Sequence, residues 1–302
     1  MGSGRRGAWV SVLAGRCAIL ALAPHSTLLR LLSLSGLSSC VRLRVFYFRA
    51  GGEEFLHPGS GTFAHDFKQE RLLYAPVDPG AAPGSTVVPR LTELVRADAA
   101  HDVTLDSLTF QHAAIDFSGC FRQNSFCEFQ SAAHQSSAAL HWKNAERLAL
   151  LNLTVRHTGG YGLWFDTGTR DSTVSASHFH DLGGGGVRMT AAHNISLADS
   201  VLEDGGLIWR SASAVLMQTA NVSLVTHNLI RKFYYTGISV GWSWGFASTP
   251  NFGSVISANE IHTIGQGELS DLGCIYHLGI DPGTIIEDNS CHDVVSYNYG
   301  GW

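Results

Sequence analysis

The chain has 302 residues, a formal net charge of −5, 15% charged residues and 33 glycines. This composition is typical of a β-rich protein with many short strands joined by tight turns, and it is unlike that of a disordered chain. The acidic balance and the lack of a Lys/Arg-rich run argue against a nucleic-acid partner. No apolar run reaches the roughly 20 residues that a membrane-spanning helix needs.

Residues 1–44 form a leader with two interpretations. The segment resembles a secretory signal, which would make the protein secreted: Arg5 and Arg6 are followed by an apolar stretch and then by Ala21 to Ala23. Alternatively, the leader is poorly ordered, because residues 28–41 continue rich in Leu and Ser without turn residues.

Residues 45–100 differ from the rest of the chain. Short apolar stretches at 46–48, 71–76 and 86–91 are separated by Pro/Gly turns, which is typical of short strands. We expect an N-terminal β-layer that caps the following domain, because an open end of stacked strands would expose unpaired strand edges.

The six cysteines show no zinc-site spacing; they are Cys17, Cys40, Cys120, Cys127, Cys274 and Cys291. Cys120 and Cys127 share one polar loop and could form a disulfide in an exported protein. Cys274 and Cys291 lie in apolar, strand-like contexts, which favours small buried thiols over a disulfide or a nucleophile.

From residue 101 onward one phrase recurs, in which apolar and polar residues alternate and Asn, Ser or Asp precedes a closing apolar residue. The copies are Val103–Phe110, Leu148–Val155, Ser172–Phe179, Ile195–Leu202, Val222–Ile230, Val255–Ile261 and Ile285–Cys291. From Val155 to Cys291 the closing residues are 24, 23, 28, 31 and 30 positions apart. The repeat predicts an all-β fold, a right-handed parallel β-helix over 101–302, with insertions in its last three coils.

A further strand follows in each coil after a glycine turn, and its alternation directs one column of side chains inward and one outward. The inward column is Leu163, Val187, Val215, Ile238 and Ile275, and the outward column is Trp164, Arg188, Leu216, Ser239 and Tyr276. The residues that follow the closing positions form another column, Arg156, His180, Glu203, Arg231, His262 and His292. We expect the two polar columns to form the walls of a shallow groove for an extended carbohydrate chain.

The last three coils combine aromatic residues, glycines and carboxylates, and aromatic rings pack on the apolar faces of sugars. The candidate substrate-binding residues are His180, Tyr235, Trp242, Trp244, His262, Glu268, Tyr276, His292 and Trp302. His262 and His292 are interpreted as groove residues and not as metal ligands, because no carboxylate or Cys partner occurs at ligand spacing in the sequence. No metal or other cofactor is predicted, and we expect a monomer whose partner is an oligo- or polysaccharide.

The same coils resemble right-handed β-helix glycoside hydrolases of family 141, and the resemblance extends from about Phe46 to the end. The phrases that carry it are Tyr235–Trp244, Leu269–Gly273, Ile275–Tyr276, Leu278–Gly279, Pro282–Thr284, His292–Val294 and Tyr299–Trp302. The resemblance implies hydrolysis of a plant- or algal-type polysaccharide, with activities of the exo-fucosidase and xylan-cleaving type.

The resemblance also implies a catalytic pair of two aspartates, of which one maps onto Asp271. The other would lie in an Asp-Glu-Gly phrase a few residues beyond Trp302, where this chain stops, so the chain as it stands could be an incomplete, inactive fragment. Glycoside hydrolysis needs two carboxyl groups. Glu268, Asp281 and Asp293 are the substitutes within the chain, and each of them is better explained as a turn or groove-rim carboxylate.

Two other functions remain open at this point. A β-helix that keeps a sugar groove without the catalytic pair would bind carbohydrate and not cleave it. A polysaccharide lyase or epimerase ranks third, because the sequence offers no cluster of aspartates suited to Ca²⁺ and its nearby basic candidates are only Lys143, Arg231 and Lys232.

Overall fold

A computed structural model describes residues 18–21, 30–33, 63–66, 69, 71–78, 87, 89–115 and 137–297 of the chain. The chain divides into two compact units, residues 1–90 and 91–302. Cys120, Cys127 and Trp302 lie outside the described residues.

Among its described residues, the first unit contains two antiparallel strand pairs. Strand β1 (Ala18–Ala21) pairs with β2 (Arg30–Ser33), and β3 (Phe63–Asp66) pairs with β4 (Arg71–Tyr74). The 1–44 segment therefore contains one short strand pair, and a second pair lies within the predicted N-terminal β-layer.

The second unit is a right-handed parallel β-helix built from three seven-stranded parallel sheets, as the repeat predicts. Each coil contributes one strand to each sheet, in the order sheet I, sheet II, sheet III. Its first strand begins at Val95, a few residues before the predicted start at 101. Among the described residues no helix is long and apolar enough to cross a membrane.

The strands of the three sheets have the following bounds. Sheet I contains β5 (Val95–Asp98), β8 (Ala138–Lys143), β11 (Tyr161–Phe165), β14 (Val187–Thr190), β17 (Val215–Gln218), β20 (Ile238–Gly241) and β23 (Ile275–His277). Sheet II contains β6 (Thr104–Asp106), β9 (Ala149–Leu151), β12 (Arg170–Ser175), β15 (His193–Ala198), β18 (Leu224–Thr226), β21 (Val255–Ser257) and β24 (Ile285–Glu287). Sheet III contains β7 (Thr109–Ala113), β10 (Thr154–Thr158), β13 (His178–Leu182), β16 (Val201–Gly205), β19 (Leu229–Phe233), β22 (Glu260–Ile264) and β25 (Ser290–Val294).

The recurring sequence motif is a strand of sheet II, a two-residue corner and the start of a strand of sheet III. The first residue of each corner has a left-handed backbone; these residues are Ser107, Asn152, Ala176, Asp199, His227, Ala258 and Asp288. Asn and Asp tolerate this conformation better than most residues do, which explains why polar residues recur before the closing position.

The interior is filled by columns of apolar side chains that stack from coil to coil. The closing residues pair in register, for example Val155 with Phe179 and Ile230 with Ile261. The inward column of sheet I is likewise in register, with Leu163 beside Val187. The side chains of these residues are fully buried, so a one-residue slip of any strand would place polar groups in the core.

A polar ladder runs through the interior beside the corner. Over five successive steps from coil to coil, a side-chain oxygen accepts a hydrogen bond from the backbone N–H of the equivalent residue one coil earlier, at 3.0 to 3.1 Å. The donor and acceptor pairs are Leu153 to Ser177, Ser177 to Ser200, Ser200 to Asn228, Asn228 to Asn259 and Asn259 to Asn289. The ladder satisfies buried polar groups that would otherwise oppose folding.

One sequence-based expectation is wrong. Cys274 and Cys291 are not separate thiols but form a disulfide with a sequence separation of 17 residues. Cys274 immediately precedes β23 and Cys291 lies in β25, so the bond ties the edge of sheet I to sheet III at the last described coil. The two cysteines belong to different sheets of the coil, so the repeat alone does not place them side by side.

We expect the Cys274→Ala/Cys291→Ala variant to be less stable than the wild type by about 3 kcal/mol, because a bond closing a loop of this length restricts the unfolded chain by about that much. Denaturant unfolding followed by circular dichroism measures the difference. Reductant should destabilise the wild type and leave the double variant unchanged. Equal stability of the two proteins under oxidising conditions would contradict the prediction.

Candidate functional site

The outer face of sheet I carries the predicted outward column in register. Trp164 lies beside Arg188, Arg188 beside Leu216, Leu216 beside Ser239 and Ser239 beside Tyr276. Leu216 and Ser239 nevertheless are buried. They point away from the core, but a second apolar cluster covers this face, and outward orientation therefore does not mean exposure.

The cover comes from the insertion between β16 and β17. Its residues Trp209 and Ala212 pack with Tyr161 and Leu216, and Trp164 and Trp242 lie partly buried against this cluster. The Trp209 indole N–H donates a hydrogen bond to the Gly159 carbonyl at 3.1 Å, which anchors the insertion to an earlier coil. The face beyond this cover, around β20 and β23, is where the predicted catalytic aspartate lies.

Asp271 lies in the loop between β22 and β23, immediately before the last strand of sheet I. The Tyr276 hydroxyl lies 3.2 Å from each carboxylate oxygen of Asp271. Asp271 is exposed and its backbone is left-handed, with φ of 56°. The carboxylate is thus presented to solvent and positioned by a neighbouring side chain on the same face.

A second candidate element follows β20. Gly241 has φ of 98°, and a Cβ at this position would lie 1.9 Å from the Leu278 carbonyl oxygen, so only glycine fits. Trp242 also has a positive φ, 87°, which is rare for a bulky residue and marks local strain. The Trp242 indole N–H donates to the Ser239 hydroxyl at 3.2 Å, and Trp244 contacts its ring edge to face at 5.3 Å.

These two tryptophans differ in exposure. Trp242 is half-buried, while 59% of Trp244 is exposed to solvent. Phe246 lies farther along the same loop and is almost fully exposed. Trp244 thus offers an exposed ring of the kind that the sequence predicted for sugar stacking.

Glu268 lies on the same loop as Asp271 but has a cationic partner. Its carboxylate lies 3.2 Å from the Arg210 guanidinium, and the Arg210 guanidinium in turn lies over the Tyr234 ring at 3.6 Å. This ion pair links the loop that carries Asp271 to the insertion that covers sheet I.

Tyr235 lies beneath the surface, since only 3% of it is exposed. Its ring lies 6.4 Å from that of Tyr276. In this conformation Tyr235 supports Tyr276 and does not itself face solvent. Trp302, the other aromatic candidate at this end of the chain, lies outside the described residues.

The three candidate histidines lie on a different sheet. His180 is in β13, His262 is in β22 and His292 is in β25, all three of them strands of sheet III. The Asp271 and Trp242 group belongs to the sheet I side. The structure therefore brings the candidates together as two separate sets, one on each sheet.

Sequence reasoning missed a polar cluster at the other end of sheet I. The His141 ring has a carboxylate at each nitrogen, with Glu93 2.8 Å from Nδ1 and Asp166 3.1 Å from Nε2. The His141 ring stacks on Trp164 at 4.4 Å, and the Arg188 guanidinium covers Trp164 at 4.3 Å. The only signal was that His141, Trp164 and Arg188 occupy successive positions of one outward column.

The carboxylates of this cluster are poorly accessible, with 15% of each side chain exposed. Burial by itself would raise the pKa of Asp166. Hydrogen bonds from the Thr167 backbone N–H, from His141 and from the Thr167 hydroxyl outweigh burial, and the pKa of Asp166 lies below its ordinary value. The cluster is therefore a fixed, charged layer on the outer face.

The outer face of sheet III is rich in histidine. His112 stacks on His157 at 5.0 Å, and His178 lies 4.4 Å from His180. Within the described part of the chain, neither ring nitrogen of His112 has a hydrogen-bond partner. Burial, followed by the neighbouring His157 and Arg156, lowers the pKa of His112 to about 4.

The low pKa of His112 predicts acid sensitivity between its ordinary value of 6.5 and about 4. In this window the unfolded chain binds a proton at His112 and the folded chain does not, so stability falls as the pH falls. His112→Asn, which suits the left-handed backbone at this position, should reduce the slope of unfolding free energy against pH by up to about one proton.

Urea unfolding at several pH values measures this slope. His193→Asn, which removes an exposed imidazole from sheet II, is the control variant. Equal slopes in the wild type and His112→Asn would contradict the assignment.

Comparison with known proteins establishes the fold class. No protein-family model and no curated protein matches the sequence. Among solved structures, the chain is similar to a protein described as "Glycoside hydrolase", with a TM-score of 0.70 and 17% sequence identity. The match covers 82% of this chain and 50% of that chain, so the chain spans about half the length of that protein. The chain is thus a right-handed parallel β-helix protein with the fold of a glycoside hydrolase.

Proposed function

We propose that the protein is a carbohydrate-active β-helix that hydrolyses glycosidic bonds at the Asp271 end of sheet I. The observation that carries the proposal is the Asp271 carboxylate, exposed to solvent and held by the Tyr276 hydroxyl at 3.2 Å. The exposed ring of Trp244 on the neighbouring loop supports it, as does the fold shared with a glycoside hydrolase.

The chemistry follows from what hydrolysis requires. One carboxyl group protonates the leaving oxygen, and a second activates water or attacks the sugar. Asp271 supplies one of the two, and Tyr276 fixes the orientation of its oxygens. Glu268 is the other carboxylate on this loop, and its ion pair with Arg210 would have to open or reorient for it to take part.

The substrate and setting are part of the proposal. We infer a plant- or algal-type polysaccharide from the resemblance to family 141 hydrolases, and an exported protein. The Cys274–Cys291 disulfide supports export, because disulfides persist mainly in oxidising compartments. We also propose that the protein is a monomer.

The ion pair between Glu268 and Arg210 favours a second candidate function, which is glycan binding without cleavage. With Glu268 held by a cation, Asp271 has no second carboxyl group available on the same loop. The aromatic residues could still hold a sugar ring under these conditions.

Release of reducing sugar from a panel of plant and algal polysaccharides tests the first function. We expect Asp271→Asn to lower kcat at least about 10²-fold, because the amide can neither donate nor accept the transferred proton. Tyr276→Phe should cause a smaller loss, since it removes only the group that orients Asp271. Asp288→Asn is the matched control, because Asp288 is an exposed aspartate with the same left-handed backbone on the sheet II corner, and it should be fully active.

The outcomes separate the two functions. Turnover that is lost in Asp271→Asn and kept in Asp288→Asn supports hydrolysis at this site. Binding of oligosaccharides without turnover supports the second candidate. Wild-type turnover that survives Asp271→Asn, or neither binding nor turnover, contradicts the proposal.

A further inference from the structure

The last two strands of sheet III bring two histidines and two carboxylates onto one outer face. His262 and His292 occupy the same register position in β22 and β25, and their rings are stacked at 4.8 Å with an interplanar angle of 3°. Asp293 lies 2.9 Å from Nδ1 of His292. Glu260, on the same face of β22, lies 3.6 Å from Nε2 of His292.

The position of Asp293 depends on its backbone. Residues of a strand normally alternate between faces, so a residue next to His292 should point inward. Asp293 has φ of 52°, a left-handed conformation that interrupts the alternation and turns its side chain toward His292. Ligand atoms of His262, His292 and Asp293 consequently lie within 4.8 Å of one another.

The donor set is that of a transition-metal site. Imidazole nitrogen and carboxylate oxygen together suit Zn²⁺ and its neighbours in the first transition row. The Thr263 hydroxyl lies 2.9 Å from Nδ1 of His262, a contact that holds the ring and leaves Nε2 as its candidate ligand atom. Such outer contacts are typical of metal-binding histidines.

The neighbouring cations do not compete for these carboxylates. Arg231, one coil earlier in the same column, lies 2.7 Å from Glu203, and Lys232 lies 3.5 Å from Asp204. Glu260 and Asp293 therefore give the site two negative charges, and these attract a cation.

The side chains also have room to close around an ion. Two nitrogens bound to one tetrahedral Zn²⁺ lie roughly 3.4 Å apart, since each Zn–N bond is about 2.0–2.1 Å. About half of the His292 side chain and most of the Asp293 side chain are exposed, so the His292 ring, which now lies parallel to that of His262, can turn toward an ion without disturbing the core.

We propose that His262, His292 and Asp293 bind one divalent transition-metal ion, Zn²⁺ or a close relative, that clamps the last two coils together, with Glu260 adding negative charge nearby. The same end of the solenoid carries the disulfide through Cys291, which immediately precedes His292. The ion would link the outer faces of β22 and β25. The disulfide links the same strand, β25, to the residue that precedes β23. Sequence spacing concealed this site, because its histidines are 30 residues apart and meet only through strand register.

Isothermal titration of ZnCl₂ into the full chain, stripped of metal with EDTA and then freed of chelator, tests the site. We expect one ion per chain and a rise in Tm on binding. His262→Ala and His292→Ala should each weaken binding at least tenfold. Asp293→Asn should also weaken it, and asparagine keeps the size and tolerates the left-handed backbone of this residue, so the fold is preserved.

His227→Ala is the matched control. His227 lies 2.6 Å from Asp199 and forms an exposed histidine–carboxylate pair with one imidazole where the proposed site has two. This variant should bind Zn²⁺ as the wild type does. Co²⁺ in place of Zn²⁺ should give the visible absorption of a four- or five-coordinate site, and His292→Ala should abolish it.

Three results would overturn the proposal. They are an absence of binding up to millimolar ZnCl₂, binding that persists in the His262→Ala/His292→Ala double variant, and an equal loss of affinity in His227→Ala. None of these measurements depends on carbohydrate turnover, so their outcome is independent of the proposed hydrolysis.

Discussion

In-register parallel pairing between successive coils is the interaction on which the rest of the molecule depends. Each coil forms backbone hydrogen bonds with its neighbours along three sheets, so equivalent side chains stack at about 4.8 Å. Apolar positions become the continuous core, and polar positions inside become a ladder such as Asn228, Asn259 and Asn289. The columns reinforce one another, because slipping one strand would misplace the core and the ladder together.

The same stacking determines where function can lie. Interior positions are committed to the columns, so variation is confined to the outer faces and the corners between sheets. The corner before β17 carries the insertion with Trp209 and Arg210, and the corner before β23 carries Glu268 and Asp271. The ion pair between Arg210 and Glu268, 3.2 Å long, joins these two corners. The proposed catalytic face is therefore built from loops, while the coils keep it rigid.

The fold could be predicted from the sequence, because a period near two dozen residues, with a polar residue before each closing apolar one, is what a three-stranded coil requires. The inward column containing Leu163 and Val187 was correct for the same reason. Solvent exposure of the outward residues could not be predicted in this way. Leu216 points outward but is buried under the insertion between β16 and β17, and strand alternation gives no information about an insertion. The Cys274–Cys291 bond and the Glu93 and Asp166 partners of His141 were missed because each contact joins different parts of the coil, and a repeat shows only equivalent positions.

The location of a bound glycan decides most directly whether the Asp271 face is the site of action. A crystal structure of the Asp271→Asn variant would show this location, with an oligosaccharide taken from a polysaccharide that the protein binds or cleaves. Sugar rings should lie on the outer face of sheet I, in contact with Trp244 and Tyr276, with a glycosidic oxygen within hydrogen-bond distance of residue 271. Sugar bound on the histidine-rich face of sheet III, with the Asp271 face empty, would contradict this assignment.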